Sequence, residues 1–424
     1  MKPLRFVLIA QLSLLAVATA GCWDRVEVND LGIVTGMALD KAGPRSLKLT
    51  VALAIPSRIR PPGSPGGGGP QLPPTTTRAA QGRTVMEAID LMQEKIERRL
   101  FWAHNAVILI GEDLAYEGVT QIVDFFSRHR QPRLRAVVSV VQGKAADVLA
   151  TMPAIDLVTP RAIREIEALR TGVITNVRDL ANMLSSEGVE PITARVQVVR
   201  SGATEPGMLG LSEGSGGGAN PLVRSDPPQP AITGAAVFKG DRLVGYLDNA
   251  DARGVLWVRS QLRRAVTTVT LGRPGRYVSF ELVRVSSQLR PRFEGERIIM
   301  EVKVSSEQDL NENAAVVDTG DPEVLKLLEE ELSESIAQRI RLSALKVQKE
   351  LRADVLGFGE AVRRADPRRW KQLKARWDEI FPEVELDVDV RAAIRRTGLA
   401  ARPVGMKDQE LLKADDLRRM LKGR

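Results

Sequence analysis

Gly210-Leu211-Ser212-Glu213-Gly214 has the G-x-S-x-G spacing of a nucleophilic serine carried on a sharp strand-to-helix turn. That chemistry needs a strand before the serine, a helix after it and a histidine within hydrogen-bond reach. Here the pattern sits in low-complexity sequence with no flanking strand, so it reads as a loop. Ser343-Ala344-Leu345-Lys346 has the S-x-x-K spacing in which a lysine activates a serine, but the companion motifs of penicillin-binding enzymes are missing. It reads as the surface of a long helix. Gly357-Phe358-Gly359 lacks the third glycine and the preceding buried strand of a nucleotide loop. It reads as the end of that long helix, with Phe358 folded back onto the core. One cysteine and two histidines in 424 residues put a Cys/His zinc site out of reach and allow no internal disulfide. No catalytic, cofactor-binding or metal-ligating residue is therefore assigned.

The two histidines and the one cysteine each sit in a distinctive place. His104 lies between Trp102 and a strand beginning at Ala106, and reads as a hydrogen-bonded structural histidine at a strand entrance, with a partner contact as the alternative. His129, beside Arg128, Arg130 and Arg133, belongs either to a headgroup-binding cluster or to a solvated basic loop. Cys22 follows Lys2 and Arg5, an apolar stretch from Phe6 to Ala18, and the small residues Thr19-Ala20-Gly21. A basic start, a short apolar core and a small-residue cleavage site describe a secretory signal peptide. The sole cysteine at the cleavage point resembles a bacterial lipobox, which predicts a cleaved lipoprotein signal peptide over 1–21 and a diacylglyceryl group on Cys22. Two acyl chains hold a protein on a bilayer where one binds only marginally.

The composition suits a packed protein: 43% of residues are hydrophobic, and no apolar run approaches the roughly 20 residues that span a bilayer. Lys and Arg number 61 and Asp and Glu 53, a net charge of +8. On an exported protein that excess faces membrane headgroups, and nucleic acid is excluded as a partner.

Hydrophobic periodicity predicts an α+β chain of three successive mixed α/β domains. The first, 22–155, has strands at 31–39 and 47–55 joined through Lys41-Ala42-Gly43-Pro44, then a flexible Gly/Pro loop over 56–80. Thr84…Glu87 is a capping box, followed by Ile89, Met92, Ile96 and Leu100 at helical spacing. A strand at 106–110, a helix over 113–128 and a strand at 135–141 predict parallel neighbours. The second domain, 156–270, opens with a Glu/Arg-rich helix, contains a flexible loop at 201–230, and ends in strands at 232–238 and 243–247 joined by a tight turn. The third, 271–400, has strands at 276–287 and 297–305. A helix starting at Asp321-Pro322 then carries Leu325, Leu328, Leu332, Ile336, Ile340, Val347, Leu351 and Val355. A stripe of Trp370, Leu373, Trp377, Ile380 and Phe381 reads as core, and the strand after it alternates Leu386, Val388 and Val390 inward. Residues 401–424 read as a polar tail.

Four blocks, in order along the chain, resemble one family, the C-subunit lipoprotein of spore germinant receptors, Ger(x)C. They are Gly21-Cys22-Trp23-Asp24 with Leu31–Val34 and Asp40; His104–Glu112 with Gly118 and Phe125–Arg128; Gly234–Lys239 with Leu243–Gly245; and Gly357–Gly359 with Pro367, Trp370, Trp377 and Phe381. His129 stands where the family pattern has an acidic residue. The resemblance implies a non-enzymatic lipoprotein on the outer face of the inner spore membrane. It would assemble with two membrane-embedded receptor subunits to permit germination in response to nutrients. Trp23, Asp24 and His104 are then candidate partner contacts, with no cofactor and no metal. The rival readings are an extracytoplasmic solute-binding lipoprotein and a secreted hydrolase.

Overall fold

The computed structural model describes residues 30–55, 74–151, 160, 163–164, 172–199, 228–272, 274–398 and 411–422. Its elements form two sheets. The first contains β1 (Leu31–Gly43), β2 (Ser46–Ala54), β3 (Thr75–Gly82), β4 (Arg99–Phe101), β5 (Val107–Gly111), β6 (Val137–Val141), β7 (Ile192–Val199), β8 (Gln229–Lys239) and β9 (Arg242–Leu247). Their order is β3-β2-β1-β5-β6-β7-β8-β9, with β4 beside β1. The central four, β1, β5, β6 and β7, run parallel, and antiparallel pairs flank them on both sides. Between them lie α1 (Val85–Gln93), α2 (Glu112–Glu117), α3 (Thr120–Arg128), α4 (Ala145–Ala150) and α5 (Val177–Ser185). The apolar runs of β5 and β6 are buried at every position, as strands covered on both faces must be. Ile108 and Ile110 of β5 point into the main core, and Val107 and Leu109 into a smaller cluster under α4.

The second sheet has the order β10 (Val266–Thr270), β11 (Tyr277–Glu294), β12 (Arg297–Asn313), β13 (Glu385–Arg396). Its helices are α6 (Asn249–Val258), α7 (Pro322–Leu345), α8 (Phe358–Ala365), α9 (Pro367–Leu373), α10 (Trp377–Ile380) and α11 (Ala414–Leu421). α7 lies along β13 and finishes its edge: Ser333 Oγ accepts from the Ala392 N–H at 3.0 Å and Glu329 from the Ile394 N–H at 2.7 Å. One apolar core runs from Val34 of β1 to Leu417 of α11 and includes both sheets. No helix among the described residues is long and apolar enough to cross a membrane.

The α+β class read from the sequence is what the structure shows, and several elements differ in extent. The boundary expected at 155/156 falls inside the first sheet, because β6 and β7 are hydrogen-bonded neighbours. Thr75–Gly82, which begins inside the expected loop and runs past its end, is a strand: its β-branched threonines pair with Ala54, Leu53 and Ala52 in β2. The first helix stops at Gln93 rather than continuing to Leu100. Arg99–Phe101 pair with β1, and the Gln93 side chain bonds the backbone of Ile96, Arg98 and Leu100. The helix expected over 113–128 is broken at Gly118 into α2 and α3. The hairpin turn after β1 has Pro44-Arg45 at its centre, two residues later than the expected Ala42-Gly43. The expected polar tail contains α11, whose Ala414 and Leu417 are buried one turn apart on one helix face, with Leu411 buried just before it.

Ser343 is not on a helix surface. It is 1% exposed, its hydroxyl donates to the Arg339 carbonyl at 2.9 Å, and it packs against Gly254 of α6. Lys346 pairs instead with Asp251 at 2.6 Å. A Cβ on Gly254 would lie 1.9 Å from Ser343 Oγ, so these helices meet only because one of them carries a glycine there. Gly254→Ala should cost about 1–3 kcal/mol through overpacking. The double variant Gly254→Ala/Ser343→Gly should melt above Gly254→Ala alone; thermal unfolding of both variants decides it.

Candidate functional site

The residues that carry the family resemblance in the C-terminal half converge where the second sheet's helices meet the loop 186–191 that leads into β7. α7 ends in a wider turn at Lys346–Leu351 and stops at Arg352, whose φ of 50° is left-handed. In that last turn the buried Gln348 amide donates to the carbonyls of Phe381 and Val384 at 3.0 and 2.8 Å, tying the helix end to the entrance of β13.

Two residues further on, Asp354 is 3% exposed and accepts four hydrogen bonds. Oδ1 takes the N–H groups of Gly357 and Phe358 at 2.8 and 3.0 Å, and Oδ2 takes those of Gly359 and the Trp377 indole at 2.7 and 3.0 Å. The first-turn donors of α8, which a helix cannot satisfy itself, are thus met by one carboxylate. Burial pushes the Asp354 carboxyl up to about 6, against the pull of the four N–H bonds it accepts. Phe358, fully buried as expected, sits 5.9 Å from Phe381, and Trp370, Trp377 and Phe381 stack edge to face or tilted in a row. The stripe is core, as its spacing predicts.

This cluster is joined to the first sheet by backbone and by charge. The Asp354 carbonyl accepts from Glu190 N at 2.9 Å, and the Gly188 carbonyl accepts from Glu360 N at 2.8 Å. Gly188, at φ 87°, faces Gly359 so closely that a Cβ on either would lie under 3.0 Å from the other's backbone. Glu187 accepts from the Trp370 indole at 3.2 Å and from Lys374 at 3.0 Å, which hold its carboxyl below the usual range. Glu190 accepts from Gly240 N in the β8–β9 turn at 2.7 Å; burial pushes its carboxyl up. Lys239 and Asp378 pair at 3.1 Å. The cleft between these parts has a volume of about 410 Å³ and is lined by Glu187, Glu190, Asp354, Trp370, Lys374 and Trp377, among others. Each of those polar side chains is bonded within the protein, so the arrangement joins two halves of the fold.

The other residues singled out from the sequence lie elsewhere. Cys22, Trp23, Asp24 and Ser212 are outside the described residues. His104 is exposed and leans on Phe101 with ring centres 5.7 Å apart, rather than holding a buried hydrogen bond. Its neighbour Asn105 is 3% exposed, and neither atom of its amide has a partner. His129 rests on Phe125 at 5.2 Å, and Arg128 finds its carboxylate at Asp124, one helical turn back, at 2.8 Å. Asp40, which closes the first block, is 7% exposed and caps α4 by accepting from Ala145 and Ala146 at 2.7 and 2.9 Å. Asp354, Glu187 and Gln348 were not singled out. Asp354 had a local signal, an acid three residues before the glycine that opens a helix.

Asp354→Ala leaves four buried donors unpaired, each worth about 1–3 kcal/mol when orphaned. It should abolish the folded state or lower its melting temperature further than any other single change at the junction. Trp377→Phe, which keeps the ring and loses one donor, should cost only about 1–3 kcal/mol, against about 3–5 for Trp377→Ala. Urea unfolding of the three variants tests the ranking, and equal losses for Trp377→Phe and Trp377→Ala would show that the indole N–H, not packing, dominates.

Comparison with known proteins agrees with the blocks. The family model described as "Spore germination protein N-terminal domain" matches residues 24–198, and that described as "Spore germination B3/ GerAC like, C-terminal" matches residues 233–398. The chain is 27% identical to spore germination protein KC of Bacillus subtilis (strain 168) over 412 residues, covering 94% of this chain and 98% of that protein. It is 23% identical to spore germination protein B3 of the same organism over 390 residues, 90% of this chain and 95% of that one. The crystal structure of the GerBC protein superposes with a TM-score of 0.51 at 20% identity, over 85% of this chain and 97% of that one, and shows the same fold. Matched at both ends and in order, the chain belongs to the Ger(x)C family of spore germination proteins.

Proposed function

We propose that this protein is a lipid-anchored subunit of a spore nutrient germinant receptor, held on the outer face of the inner spore membrane through Cys22. It acts there by assembling with two membrane-embedded receptor subunits, and it carries out no reaction of its own. The observation that carries the reading is the pair of family matches, which together take in residues 24–198 and 233–398 and begin two residues after the chain's sole cysteine. Relatives over nearly the full length are spore germination proteins. The junction around Asp354 supports assembly over catalysis, because its carboxylates are already held by protein N–H groups and by Lys374. The two sheets, of nine and four strands with different orders, do not resemble the paired lobes that close on a ligand in a solute-binding protein.

A diacylglyceryl cysteine supplies two chains, and each buried CH₂ contributes about 0.8 kcal/mol to membrane binding. Cys22→Ala should therefore lose radiolabelled palmitate, leave the membrane fraction and no longer co-purify with the membrane subunits. Palmitate incorporation equal to that of the parent would remove the anchor from this reading.

A further inference from the structure

β11 is covered along only part of one edge. β10 pairs with Tyr277–Glu281 and stops, whereas β12 pairs with β11 as far as the Gly295-Glu296 turn. Glu294 and Arg297 close that two-residue hairpin, so the even-numbered residues 286–294 bond to β12 and the odd-numbered ones turn their N–H and C=O groups away from it. The Val285 carbonyl follows this parity, accepting from Ser260 Oγ at 3.2 Å. Beyond it, the outward backbone groups of Ser287 and Leu289 have no partner among the described residues. The next outward position is Pro291, which has no N–H to leave bare, the way edge strands tolerate proline.

α8 stands beside this edge and leaves a groove. One part, of about 530 Å³, is lined by Ser287, Leu289, Arg290, Pro291, Ala361 and Arg364. A second, of about 340 Å³, shares Ser287, Leu289 and Arg364 and adds Arg259 and Glu360. The Ser287 hydroxyl is buried there without a partner. Arg259, Arg290 and Arg364 thus line the groove against one carboxylate, Glu360, which Arg363 holds at 2.7 Å and Arg364 approaches at 3.9 Å, while Arg259 donates inward to the Val355 carbonyl at 3.2 Å. Bare strand donors and acceptors select an extended backbone, and the arginines select its charge. A lipid headgroup would satisfy the arginines and leave the strand's amide groups unpaired.

We infer that this edge is a docking site for an extended acidic segment of a partner protein, which adds to β11 as a strand and sets its carboxylates against Arg290 and Arg364. The inference goes beyond the anchored-subunit reading and is testable without the anchor. The probe is a fluorescent seven-residue peptide of alternating glutamate and valine, titrated against the full chain at low salt. It should bind, weaken as salt rises, and slow hydrogen exchange over residues 285–291. The lysine–valine counterpart should not bind, and the glutamate–valine peptide N-methylated throughout should lose at least tenfold in affinity. Arg290→Glu/Arg364→Glu, two exposed positions, should lose a similar factor at an unchanged melting temperature. Absence of binding, equal binding of the N-methylated peptide, an unchanged affinity in the double variant, or protection appearing elsewhere would each overturn the proposal.

Discussion

A carboxylate taken out of water must be met by donors on both oxygens, and Asp354 meets that requirement with two N–H groups on each. Three of the four come from consecutive backbone positions, so satisfying one side chain dictates where α8 begins and which way Phe358 points. The fourth comes from Trp377, which places the aromatic row, and Trp370 in that row reaches Glu187 on the other side of the cleft. Asp354's own carbonyl then accepts from Glu190, so the same residue holds the loop before β7 through its main chain. The contact between Gly188 and Gly359 follows from this: the two backbones are drawn so close that neither has room for a Cβ.

The junction explains why much of the fold was legible in the sequence while its centre was not. Features written in neighbouring residues were recovered: Thr84 capping α1, Asp321 and Pro322 opening α7, the Gly240-Asp241 turn, and the alternation of β13. Elements whose ends are set by distant partners were misjudged. Nothing near Gln93 says that Leu100 will leave its helical seam to pair with Gly32, and nothing near Leu412 says that its backbone will bridge to Val317. Ser343 looked exposed because helix position alone does not reveal a glycine on a partner helix. Asp354 was legible in principle from local capping chemistry. Its link to Trp377 and the Glu190 loop was not, since it depends on segments brought together only by the whole fold.

For a protein of this family the arrangement has a functional sense. The charges that the chain spends on its interior, Asp40, Asp354 and Lys346 among them, go to capping helices and joining elements. Most of the remaining ion pairs lie on the surface, such as Arg297 with Glu385 and Arg395 with Asp309, and pairs of this kind add little stability. They shape the field that an approaching partner meets.

α11 covers core positions with the last described residues of the chain, and Leu417 is fully buried against α7 and its surroundings. β12 likewise waits for β13, which joins it only after the long helix and the aromatic row have been made. Pairings between such distant segments lose much loop entropy before they are rewarded, and chains dominated by them fold slowly. The native core therefore cannot close before β13 and α11 have been made. Until those segments dock, the apolar side chains that α11 and β13 will cover stay exposed, and in that interval aggregation and proteolysis compete with folding.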